Sequence, residues 1–218
     1  MRLAPLSCVL LLAAPAGAET FDVALGKKKL GTLSYSVSGP KTTLRSTLDN
    51  TPLGVFNGSF VGNDTGSSSR NTFVGNSKSS RKQRIVTVQI AKGKAVNTDI
   101  TPASERTDLS EITKVQSGVI NPVRAIGQLI TANDCPAKMR LYDGRRVIAL
   151  SPTGKSQSGD TLVCSMSYKV VAGPGHLSPL SISSAKMQLN YEVAAGQQTL
   201  QQIQISSGIF KLKLNKKN

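Results

Sequence analysis

Apolar and polar residues alternate along most of this chain with a period of two. Phe21, Val23 and Leu25 fall on one face of a first strand. After the basic turn 26–29, Leu33, Tyr35 and Val37 continue the pattern with Thr32, Ser34 and Ser36 opposite, which predicts a hairpin. Residues 42–48 predict a third strand, and residues 60–63 and 70–75 predict two more around Gly66-Ser67-Ser68-Ser69. The stretch 50–58 is apolar but punctuated by Pro52, Gly54 and Gly58. It reads as a loop folded over an apolar surface or as an interrupted strand. Residues 77–84 are polar and basic and read as a mobile loop. Residues 84–91 alternate cleanly, with Ile85, Thr87 and Gln89 against Val86, Val88 and Ile90. Lys92-Gly93-Lys94 turns that strand back into residues 95–100.

The alternation then stops. Residues 101–118 are polar and weakly patterned and suit a long loop. One helix is predicted, with Asn121 as N-cap and Pro122 at its first position. Val123, Ile126, Leu129 and Ile130 form its apolar stripe, and it ends near Asn133. Residues 138–142 and 145–150 flank Asp143-Gly144, which predicts a hairpin with a two-residue turn. Residues 161–172, 186–193, 199–206 and 209–214 close the chain as an antiparallel meander. The expected fold is mainly β: a single curved antiparallel sheet or open β-barrel-like meander with one short helix packed on it. So many strands must curl, split or close to protect their edges.

The N-terminus changes where such a fold would work. Arg2, the short apolar run 6–14 and the small residues Ala16 and Ala18 match a secretory signal peptide cut before Glu19. The expected organisation is a signal peptide, 1–18, and a single β domain, 19–218, in the periplasm. Cys8 would leave with the leader. The apolar run follows Cys8 instead of preceding it, which argues against a lipidation site there. Cys135 and Cys164 remain as an even pair in an oxidising compartment, so a disulfide is expected. Two distant cysteines and one histidine do not make a metal site, and neither a metal nor a cofactor is expected.

The tract Asn121-Pro122-Val123, Cys135, Leu141-Tyr142-Asp143-Gly144-Arg145-Arg146 and Cys164 resembles the DUF3108 family of exported bacterial proteins, a domain of unknown function. Phe21-Asp22-Val23-Ala24-Leu25-Gly26, Gly31-Thr32-Leu33 and Gly54-Val55-Phe56 extend the likeness over most of the domain. The resemblance implies a periplasmic setting and a curved antiparallel sheet, and it carries over no catalytic residue. The architecture is also loosely similar to lipoprotein carriers, in which an open barrel covers an apolar cavity with a helix.

Charge narrows the partners. The chain has 27 basic and 12 acidic residues, a formal net charge of +15, with 4% aromatics and no tryptophan. Such a field attracts anionic polymers, lipid headgroups or acidic partners, although solubility alone would account for it. Nucleic acid is not expected, because bases need aromatic platforms interleaved with the charge. Arg145 and Arg146 beside a tight turn are candidate anion-binding residues; the alternative is a solvated hairpin end. His176, the single histidine, sits in a Gly-Pro-Gly turn and reads as an exposed loop residue. Gly154-Lys155-Ser156 mimics the end of a phosphate-binding loop but lacks its first glycine.

No catalytic residues are expected, and the leading expectation is a non-enzymatic binding or carrier domain for an apolar or envelope-derived ligand. Leu53, Val55, Phe56, Val123, Ile126, Leu129 and Ile130 are its candidate cavity lining, and a lipid or other apolar molecule its partner. The alternatives are a module that docks a basic face on anionic envelope components and a hydrolase with a dispersed site.

Overall fold

Strands whose alternate residues are apolar bury one face, and enough of them in succession must wrap around a common interior. The computed structural model describes residues 17–49, 51, 52, 57–176 and 181–217. It is mainly β, with one α-helix and a single fourteen-stranded sheet nearly closed into a barrel. The first half supplies β1 (Ala18–Leu25), β2 (Lys28–Ser38), β3 (Lys41–Leu48), β4 (Gly58–Gly66), β5 (Arg70–Ser79), β6 (Gln83–Ala91) and β7 (Lys94–Thr101). The second supplies β8 (Val119–Ile120), β9 (Met139–Tyr142), β10 (Val147–Ser158), β11 (Thr161–Ala172), β12 (Ser184–Ala194), β13 (Gln197–Ser207) and β14 (Phe210–Lys216).

The sheet order is β7-β6-β5-β4-β3-β2-β1-β14-β13-β12-β11-β10-β9-β8. Every pair is antiparallel except β8 with β9. All pairs join neighbours in sequence except β1 with β14, where Val23 faces Leu214. The ring is therefore open at one seam, between β7 and β8. Residues 102–118, three single 3-10 turns, run between those strands. Gly118 and Val119 donate their N–H groups to the Gly93 carbonyl at 2.8 and 3.0 Å. The Tyr142 hydroxyl donates to the Leu109 carbonyl and lies 2.9 Å from Thr98 Oγ1. These bonds satisfy edge groups that an open seam would otherwise expose.

A barrel of this strand number encloses more space than its own side chains fill. The helix α1 (Pro122–Ile130), with Val123, Ala125, Gly127, Leu129 and Ile130 buried, takes up part of that space. Asn121 caps it, accepting from Arg124 N at 3.0 Å. The same carboxamide donates to Asp64 Oδ1 at 2.7 Å and Asn71 Oδ1 at 3.0 Å. Arg124 reaches Asp64 Oδ2 at 2.8 Å and the Gly66 carbonyl at 3.1 Å. At the other end of the helix the Tyr191 hydroxyl donates to the Leu129 carbonyl at 2.7 Å. The helix is thus fixed to β4 and β5 at its start and to β12 at its finish. Cys135 and Cys164 form a disulfide with Cα atoms 5.4 Å apart, tying the connection after the helix to β11. Closing its 29-residue separation contributes roughly 3–4 kcal/mol through the unfolded chain.

Several elements differ from the sequence reading. Residues 77–84 are not a mobile loop: β5 runs to Ser79, β6 begins at Gln83, and only the intervening residues turn. Ser77 faces Arg84 in that ladder, and both line an interior space. The helix stops at Ile130, where the Thr131 hydroxyl donates back to the Gly127 carbonyl at 3.0 Å. The hairpin at Asp143 has a four-residue loop, since Tyr142 pairs with Val147. Gly144 has φ 89°, and Asp143 is not among the residues with positive φ, so the loop is not a two-residue type I′ turn. Instead Asp143 Oδ1 accepts from the N–H groups of Arg145 and Arg146 at 3.0 and 2.9 Å. Gly154, Lys155 and Ser156 lie inside β10, with Lys155 on Asp134 at 2.6 Å, so no phosphate loop exists there.

Asn121→Ala should remove the helix cap and strand the buried oxygens of Asp64 and Asn71. We expect a loss of about 2–4 kcal/mol in urea unfolding. A loss under about 1 kcal/mol would show that the helix is held by packing alone.

Candidate functional site

Two facing glycines make room for aromatic rings beside one interior opening. Gly62 and Gly75 face each other across β4 and β5. A Cβ on Gly75 would meet the Phe73 ring at 2.7 Å and the Phe60 ring at 3.3 Å. One on Gly62 would meet Phe60 and Val123, each at 3.0 Å. The two rings therefore occupy the space that side chains at Gly62 and Gly75 would take. Opposite them stand Leu141 of β9 and Ile148 of β10, which are paired in register. Together with Val86 and Pro122 they bound a cavity of about 270 Å³. A second space, of about 250 Å³, shares Phe60, Ser77 and Arg84 with the first and adds Leu48, Lys78, Lys82 and Glu105.

The polar part of the cavity wall is Arg84 on β6, Asp143, Arg145 and Arg146 in the β9–β10 loop and His176 after β11, joined by Glu105 of the seam segment from the adjoining space. Arg84 and Lys82 pair with Glu105 at 3.0 and 2.9 Å. Arg145 lies 3.4 Å from the same carboxylate and donates Nε–H to the Glu105 backbone carbonyl at 2.6 Å. Arg146 is 6% exposed and donates to the Gly175 carbonyl at 2.9 Å. Its Nε lies 3.0 Å from Asp143 Oδ2 but without hydrogen-bond alignment. The Thr107 and Ser110 hydroxyls donate to the carbonyls of Arg145 and Gly144 at 2.8 and 3.1 Å, fastening the loop to the seam segment.

These contacts shift the titrating groups. The hydrogen bond from Lys82, with the fields of Arg84 and Arg145, holds the Glu105 carboxyl below its ordinary value against the opposing effect of burial. Burial, reinforced by the neighbouring guanidiniums of Arg84 and Arg146, lowers the Arg145 value. Burial pushes His176 down to about 4, with Arg146 adding to the shift and Asp143 opposing it. His176 Nε2 is buried with no hydrogen-bond partner. Its ring stands edge-on to Tyr168, with centroids 5.9 Å apart. The expectation of an exposed loop histidine is thus overturned: a bridge with Ile182 folds the turn inward and desolvates the ring.

Other candidates fall in different places. Arg145 and Arg146 come together in the wall and are not a solvated hairpin end. Val123, Leu129 and Ile130 are buried in the core and Ile126 is half-buried. In the described cavity the helix contributes Pro122 to the lining. Leu53, Val55 and Phe56 lie outside the described residues, as does most of the expected leader. The sequence reading missed Glu105, Arg84, Phe60 and Phe73. The glycines alternating with Phe60 and Phe73 at inward positions were the one local signal for such a wall. Nothing local marks Glu105, whose partners are distant in sequence. Comparisons with family models, curated proteins and solved structures return no match to this chain.

The histidine sets a pH dependence. Its folded value lies below its unfolded value of about 6.5, so between the two the unfolded chain holds a proton that the folded chain refuses. Stability is therefore full above about pH 6.5 and falls as pH drops toward 4. For a half-buried ring the loss should be on the order of 1–3 kcal/mol. Urea midpoints measured from pH 7 to 4.5 should fall further for the native chain than for His176→Gln. Glu105, whose folded value lies below its ordinary 4.5, keeps its full contribution above that pH and loses it as pH falls further. Parallel curves for the two proteins would place the acid sensitivity elsewhere.

Proposed function

We propose that this protein is a non-enzymatic binding or carrier domain of the periplasm that holds an apolar, envelope-derived ligand inside its barrel. The observation that carries this reading is the cavity of about 270 Å³ between Phe60 and Phe73 on one side and Leu141 and Ile148 on the other. Apolar spaces close to this size are suited to small ligands, with a few polar groups to orient them. The signal-like N-terminus and the disulfide support an exported setting. The likeness to DUF3108 proteins, carried by residues 121–164, agrees with that setting.

Native mass spectrometry of the periplasmic protein, followed by lipid extraction, should find a bound amphiphile. Ser77 stands between the two interior spaces, so Ser77→Phe should fill the passage. It should weaken binding of a neutral apolar dye such as Nile red at least about tenfold, which is some 1.4 kcal/mol. Unchanged dye binding in a folded Ser77→Phe protein would remove the cavity as the site.

A second reading rests on a separate observation. The outer face of β11 to β14 carries a groove of about 1070 Å³ lined by Lys169, Lys186 and Lys211 with serines and glutamines, and no carboxylate lines it. Such a groove suits docking on anionic envelope components. Binding to an anionic polysaccharide column should then weaken with salt and drop in the Lys169→Gln, Lys186→Gln, Lys211→Gln triple variant. Equal retention of the two proteins would rule the groove out.

A further inference from the structure

The cavity wall carries more positive than negative charge. Arg84, Arg145 and Arg146 line it together with one carboxylate, Asp143. Glu105 adds a second from the adjoining space, where Lys82 brings a further cation to the same carboxylate. Three guanidiniums and an ammonium thus share two carboxylates. Unbalanced charge beside apolar walls is costly unless an anion completes it.

Two buried polar atoms at the same end are also incomplete. His176 Nε2 has no hydrogen-bond partner, and Arg146 Nε faces Asp143 without proper alignment. A buried polar group without a well-aligned partner is costly. The two residues adjoin, since Arg146 donates to the carbonyl of Gly175, next to His176. The apolar walls begin immediately beside them, with Leu141 and Ile148 flanking the Asp143–Arg146 loop in sequence.

We propose that the ligand is an acyl chain ending in a carboxylate, its head held by Arg145, Arg146 and His176 and its chain laid along Phe60, Phe73, Leu141 and Ile148. This rests on the carrier reading above and adds the chemical class of the ligand. A carboxylate is planar and singly charged, so it matches a guanidinium edge bidentately. A phosphate monoester would bring a second charge toward Asp143, 3.0 Å from Arg146. An alcohol would leave the charge excess in place, and an amine would add to it.

The test is displacement of Nile red from the full exported protein by dodecanoate, dodecanol, dodecylamine and dodecyl phosphate, at fixed pH 7 and fixed salt. Dodecanoate should displace the dye at least about tenfold more effectively than the alcohol, as charge-assisted hydrogen bonds to its head require. Arg145→Gln and Arg146→Gln should bring dodecanoate down to the level of dodecanol while leaving dodecanol unchanged. If Arg146→Gln does not fold, the head-group series on the native chain and on Arg145→Gln decides the matter. Equal displacement by acid and alcohol, or a preference for the amine or phosphate, overturns the carboxylate and leaves the carrier reading intact. Displacement by none of the four overturns the carrier reading itself.

Discussion

The side chain of Asn121 is the contact on which the interior arrangement depends. Its oxygen caps the only α-helix among the described residues, and its nitrogen is shared between Asp64 and Asn71 on two adjacent strands. One buried amide therefore starts a helix and tells it which wall to lie against. Arg124, one turn on, repeats the instruction by pairing with Asp64. With the helix start seated there, Pro122 forms one wall of the space that Phe60, Phe73 and the arginine cluster also line. The polar node thus does for this barrel what a longer helix or a larger core would otherwise do: it decides which part of the interior is solid and which is hollow.

The electrostatics follow from that division. Around the helix start Asn121, Asp64, Asn71 and Arg124 form one connected network, whereas the cations near the cavity crowd onto few carboxylates. Glu105 serves three cations at once, and His176 has its ring nitrogen sealed off. A protein built only for stability would gain by replacing such a cluster with apolar residues. Its presence beside an apolar cavity is the strongest functional signal in the molecule.

Much of the sheet was legible because its period is local. Strand 161–172 is the residue range expected, and Asn121 and Pro122 open the helix as their chemistry dictates. The nearly closed barrel was one of the allowed outcomes. What could not be read was contact across the ring. Ser77 and Arg84 look like loop residues because they are polar, yet they are paired strand residues that line the cavity. His176 looks exposed because glycine and proline flank it, yet the bridge to Ile182 turns it inward. The disulfide was legible from counting, while the partners of Glu105 lie on other elements and leave no trace in its own neighbourhood.

The pairing of β1 with β14 has a consequence for biogenesis. All other ladder contacts join strands consecutive in the chain and can form as the chain emerges. This one must wait for the last strand, because the first strand's outer edge has no other partner. If the chain crosses a membrane amino end first, β1 is delivered earliest and completed latest. It spends the whole of translocation as an unpaired edge carrying Phe21 and Val23, both of which end fully or nearly fully buried. Asp22, in the middle of that edge, lies 2.9 Å from Lys29 across the first hairpin, and Lys29 belongs to a run of three lysines. Charge of this kind discourages edge-to-edge association between chains. The basic run that looked like mere surface on the folded protein thus doubles as a guard for the strand that waits longest.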